Sequence, residues 1–96
     1  MLDQGRGDEA GRIFEAILEK SPEDPDALRL KGVLRLSLGR LEEAEMLMAR
    51  SARADPESAV TRYNQARIAL MLGDMQGCLR AIEALHELEK KGNLHQ

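Results

Sequence analysis

Gly39-Arg40-Leu41-Glu42-Glu43-Ala44 repeats, with small changes, the stretch Gly5-Arg6-Gly7-Asp8-Glu9-Ala10 found 34 residues upstream. The same step carries Ser21-Pro22-Glu23 onto Asp55-Pro56-Glu57, and carries Gly39 onto Gly73 of Gly73-Asp74-Met75-Gln76-Gly77-Cys78. Gly5, Gly39 and Gly73 thus share one spacing, the signature of a repeat array built from a single supersecondary unit.

Working outward from these glycines, each is followed by an amphipathic helix pattern. Ala10, Ile13, Phe14, Ile17 and Leu18 recur at three- and four-residue steps, as one helix face requires. Leu41, Ala44, Leu47, Met48 and Ser51 form a second such face, and Met75, Cys78, Leu79, Ile82 and Leu85 a third. Two further helices fill the gaps, at about 25–38 and 59–72. Pro22 and Pro56 punctuate the helix ends, because proline lacks the donor an interior turn needs and disfavours helix in the residue before it. Asp24 ahead of Pro25 reads as an N-cap with proline in the first turn. Gly39 and Gly73 suit short turns with a left-handed residue.

The predicted order is one helix of an incomplete unit, then two helix pairs, five helices in all. Such units bury their apolar faces only by stacking on neighbours. The register leads us to expect a piece of a longer chain. The predicted domain runs over 1–91, as an incomplete repeat (1–24), a full repeat (25–58) and a full or capping repeat (59–91). Residues 92–96 are expected to form a flexible tail.

The composition agrees. The apolar fraction of 43% exceeds that of disordered chains, and Phe14 and Tyr63 are the only aromatics, so Leu, Ile, Met and Ala must build the core. The net charge of −3 is spread unevenly, acidic over 1–26 and basic over 27–53. No basic stripe interleaved with aromatics exists for nucleic acid. The apolar run Ile68–Leu72 is too short to span a bilayer. A single cysteine, Cys78, excludes an internal disulfide, and without a visible signal sequence a cytoplasmic setting is the default expectation.

This pattern resembles the tetratricopeptide repeat. The matching places are Leu28, Gly32, Gly39, Ala44, Met48 and Pro56 in the middle unit. In the last unit they are Ala66, Gly73, Cys78 and Ile82, and in the first half-unit Ala10, Phe14, Ile17 and Pro22. Small residues at Gly32 with Ala44, and at Ala66 with Cys78, would let paired helices approach closely. The resemblance departs at Lys31, Arg35, Gln65 and Ala69, where larger apolar or aromatic residues are usual, and at Lys90, where a closing proline is. Lys31 and Arg35 are expected to snorkel from an uncovered face, and the last helix to run on and fray past Lys90.

The resemblance implies an all-α, right-handed superhelical stack whose first helices of each pair line a concave groove. That groove would present Arg29, Leu30, Val33, Leu36 and Ser37, then Tyr63, Asn64, Arg67, Leu70 and Met71. It would hold an amphipathic, partly acidic peptide or helix of a partner, with apolar anchors against Leu30, Val33 and Leu70 and a carboxylate near Arg29 or Arg67. The plainer reading makes Leu30, Val33 and Leu70 core and the arginines solvated charges. A dicarboxylate clamp like that of heat-shock co-chaperones is disfavoured: Arg29 and Asn64 fit two of its places, but Val33 does not.

Nothing here reads as catalytic apparatus. Cys78 falls at the small-residue contact, which favours a buried, inert thiol. His86 and His95 lack a ligand set at helical spacing. Asp8-Glu9 and Glu42-Glu43 suit a helix dipole, and Gly5-Arg6-Gly7 does not follow a strand. No cofactor or metal is expected. The function expected is a protein-interaction scaffold. The alternatives are a non-catalytic repeat module that positions a substrate for a larger enzyme, such as a transferase, and a homodimerising element driven by an uncovered Ile13, Phe14 and Ile17.

Overall fold

The computed structural model describes residues 4–94. Five helices follow one another: α1 (Gln4–Lys20), α2 (Pro25–Ser37), α3 (Leu41–Ala54), α4 (Ala59–Leu72) and α5 (Met75–Leu94). The termini of these helices are set by the local chemistry the sequence carries. Asp24 accepts a hydrogen bond from the Ala27 N–H at 2.9 Å, with Pro25 opening α2. Ser58 accepts from the Thr61 N–H at the head of α4, and Asp74 from the Gly77 N–H at the head of α5. Each uses a side-chain oxygen to satisfy a donor the first helical turn leaves free.

Gly39 and Gly73 close the two helix pairs with φ of 76° and 78°. The residue after each glycine donates back across the helix end, Arg40 N–H to Arg35 O at 2.9 Å and Asp74 N–H to Ala69 O at 2.8 Å. This is the Schellman closure, which favours glycine because a Cβ is strained at positive φ. Gly5 shares their spacing but lies in the first turn of α1, not in a turn between helices.

α2 packs along α3, α4 along α5, and α3 against α4, while α1 lies on α2 and α2 touches α4. The result is the all-α stack of helix pairs the spacing implied. Its centre is the buried cluster Ala44, Met48 and Ile68, flanked by Leu36 and Leu72. Leu28 is fully buried as well. The close approach expected at Gly32 and Ala44 is present: a Cβ on Gly32 would stand 3.0 Å from Met48 Cε and 3.6 Å from Ala44 O. Cys78 is buried.

Three expectations need correction. On α5, Cys78 and Ala81 turn inward, whereas Met75, Leu79 and Ile82 remain 57%, 55% and 48% exposed. Among the described residues α5 packs on α4 alone, so its far side stays bare, and Ile82, at the repeat place of the fully buried Met48, has no second helix over it. Lys31 and Arg35 do not snorkel: Lys31 is ion-paired with Glu15 of α1, and Arg35 Nε lies 3.3 Å from Glu43 Oε2 of α3. Finally, α5 stays helical to Leu94, so residues 92–94 belong to it and not to a tail. Lys90, in the place of a proline, leaves nothing to stop the helix. Residues 95–96, with His95, lie outside the described residues.

Candidate functional site

The site begins with α4, whose exposed side carries Val60, Tyr63, Leu70 and Met71, with the exposed Arg67 beside them. Three- and four-residue spacing puts them in one row. The Arg67 guanidinium lies 5.7 Å from the Tyr63 ring centroid. A cation over a ring face is attracted by its quadrupole. Arg67 Nη1 also donates to Asn64 Oδ1 at 3.4 Å, and Asn64 Nδ2 donates to Val60 O at 3.0 Å. Asn64 itself is buried, 5% exposed. It therefore anchors Arg67 from below.

α2 supplies the neighbouring row, since the two helices touch. Leu30 and Val33 are exposed. Leu36 packs partly against the Ala44, Met48 and Ile68 cluster. Arg29 is half-buried and pairs with Asp26 one turn back at 3.3 Å. Ser37 spends its hydroxyl on Leu34 O at 2.7 Å. Of the residues expected in the groove, then, Leu30, Val33, Tyr63, Arg67, Leu70 and Met71 stand free on the two adjacent helices. Arg29 and Leu36 are partly engaged within the fold, and Asn64 is a support. Val60 was missed by the sequence reading, although its place one turn before Tyr63 signals it.

The face combines apolar anchors with one cation that no carboxylate neutralises among the ion pairs of the described residues. The Lys31 ammonium bonded to Glu15 holds that carboxyl below its usual value, through the hydrogen bond first and the charge of Lys31 second. Among the described residues no three His, Cys, Asp or Glu side chains come together as a metal set. No helix among them is long and apolar enough to cross a membrane.

Paired helices joined by glycine turns, stacked with one helix of each pair on a common face, define a helical-repeat module of the kind used for protein interaction. The family model for the tetratricopeptide repeat matches residues 1–68, and the chain belongs to that family. No curated relative matches it. Among solved structures it is similar to PcrH, crystallised in complex with the chaperone binding region of PopD. The match has 27% identity and a TM-score of 0.78, and covers 88% of this chain and 64% of that one. The chain thus spans under two thirds of the length of that PcrH chain.

Proposed function

We propose that this chain holds a segment of a partner protein against the face formed by α2 and α4, without chemistry of its own. The observation that carries the proposal is the uninterrupted row on α4, where Tyr63, Leu70 and Met71 stand more than half exposed around the Arg67 cation. Isolated exposed apolar residues are ordinary, but a row of them ringed by polar groups marks an interaction surface. The likeness to a chaperone solved with a bound partner region supports the same reading. The bound segment would place apolar side chains on Leu30, Val33 and Leu70 and a carboxylate against Arg67. Such a charge-assisted contact contributes about 1.5–3 kcal/mol when shielded from water.

The test is co-purification of the tagged chain from its source cells beside the Leu30→Asp, Leu70→Asp and Arg67→Ala variants. One defined protein retained by the parent and lost from all three supports the face. Retention by all three variants excludes it.

A second reading, self-association, is favoured by the exposed Ile13 and Ile17 on α1 and the exposed row Met75, Leu79 and Ile82 on α5. Since Phe14 is half-buried, Ile13→Glu is the cleaner probe. A dimer by light scattering that this change converts to monomer supports it, and a monomeric parent rejects it.

A further inference from the structure

The α2 and α4 face carries two arginines that make the same local bond to chemically different partners. Arg29 Nη2 donates to Asp26 Oδ1 at 3.3 Å, and Arg67 Nη1 donates to Asn64 Oδ1 at 3.4 Å. Each reaches the residue three places before it on its own helix. One acceptor is a carboxylate and the other an amide. No ion pair among the described residues includes Arg67. Arg29 therefore meets the solvent as half of a neutral pair, and Arg67 as a whole charge.

The surroundings of Arg67 orient it without compensating it. Asn64 is buried, and its Nδ2 donates to Val60 O at 3.0 Å. A carbonyl needs a donor and a guanidinium offers only donors, so the amide stands with its nitrogen toward Val60 and its oxygen toward Arg67. The Tyr63 ring centroid lies 5.7 Å from the same guanidinium. Both neighbours are uncharged. Asp26, by contrast, holds its carboxylate beside Arg29 permanently, with its side chain 79% exposed and that of Arg29 only 20%. An incoming acid at Arg29 must displace a tethered one and is repelled by it. Asp26, Arg29 and Arg67 together carry one net positive charge, and it resides on α4.

We propose that the residue three places before each arginine decides where this face takes an acid. Asn64 makes Arg67 the receiving point for a single carboxylate of a partner polypeptide, and Asp26 closes Arg29 to one. The inference rests on the face proposed above and specifies what that face selects. The bound segment carries one acidic residue over α4, and its stretch over α2 is uncharged and lies on Leu30 and Val33. Asn64 and Tyr63 act as positioning residues, and Asp26 as the residue that sets specificity.

The test follows the Arg29 and Arg67 Nε–H signals of the ¹⁵N-labelled whole chain by NMR, first with acetate at constant ionic strength. Acetate should shift Arg67 about two- to fivefold more steeply than Arg29, the size of a part-exposed ion pair. Asp26→Asn should raise the Arg29 response to that of Arg67. Tyr63→Glu, which sets a carboxylate one turn before Arg67, should lower the Arg67 response to that of Arg29, whereas Tyr63→Gln should not. Equal responses in the parent, or no change in either acidic-residue variant, would overturn the proposal whether or not the face binds a polypeptide. The second arm uses a capped leucine-alanine-glutamate-alanine-leucine peptide and its glutamine analogue. Shifts at the Leu30, Tyr63 and Leu70 amides are expected, with a preference for the glutamate form that Tyr63→Glu removes. A preference surviving Tyr63→Glu would overturn Arg67 as the receiving point. Absent peptide shifts at millimolar concentration, with the acetate difference present, would overturn the polypeptide occupant and with it the face proposed above.

Discussion

The hydroxyls of Ser51 on α3 and Thr61 on α4 lie 3.2 Å apart in the buried centre of the stack, and Ser51 also donates to Pro25 O at 2.8 Å. Thr61 in turn meets Ser58 Oγ at 2.9 Å. One small polar chain thus joins the heads of α2 and α4 to α3. Removing one partner leaves buried groups unmade, at about 1–3 kcal/mol. Ser51→Ala should therefore lower the unfolding free energy by that amount in a denaturant titration. A change below about 0.5 kcal/mol, the scatter of neutral surface substitutions, would show that the link does not hold the helices.

Leu28 of α2 is fully buried. Leu28→Ala should cost about 2–5 kcal/mol, combining lost transfer energy with the cavity left behind. Thermal unfolding followed by circular dichroism checks this. Melting unchanged would place the stabilising core elsewhere.

Gly73 gives a sharper prediction, because space and conformation separate there. Gly73 has nothing within 4 Å of a new Cβ, yet its φ is 78°. Gly73→Ala should destabilise by about 1–2 kcal/mol through backbone strain alone. Gly92, equally open but inside α5, should accept alanine with stability unchanged or slightly raised. Equal effects at both positions would contradict the left-handed turn.

Acid sensitivity follows from Glu15. Its carboxyl is held below its ordinary value by Lys31, so the folded state binds its proton less readily than the unfolded chain. The resulting stability is fully present above the unfolded value and is lost as pH falls through the folded one. Glu15→Gln should remove that part of the acid-side loss while leaving the neutral-to-basic limb parallel to the parent. Because Glu15 is more than half exposed, solvent and salt weaken the pair, and the difference should shrink in high salt.

Much of this was legible in the sequence, for physical reasons that differ by residue. Gly39 and Gly73 announce the turns because positive φ singles out glycine. Leu41, Ala44, Leu47, Met48 and Ser51 give the buried side of α3 because α3 is covered by helices on both sides. α5 was misread because the exposed Met75, Leu79 and Ile82 carry more hydrophobicity than the buried Cys78 and Ala81. Ile82 takes the place that the buried Met48 takes on α3, but among the described residues only α4 packs on α5. The pairing of Lys31 with Glu15 and of Arg35 with Glu43 was not legible because the partners lie on other helices. Asn64 reads as a surface amide until its hydrogen bonds to Val60 and Arg67 are seen.

The claim that the α2 and α4 face receives the partner is tested most directly by placing a photo-cross-linking residue at Leu70, and separately at Arg53 on the exposed end of α3, in the source cells. The account predicts one discrete cross-linked polypeptide from position 70, lost on Arg67→Ala, and none from position 53. Cross-linking from position 53 with none from position 70 would contradict it.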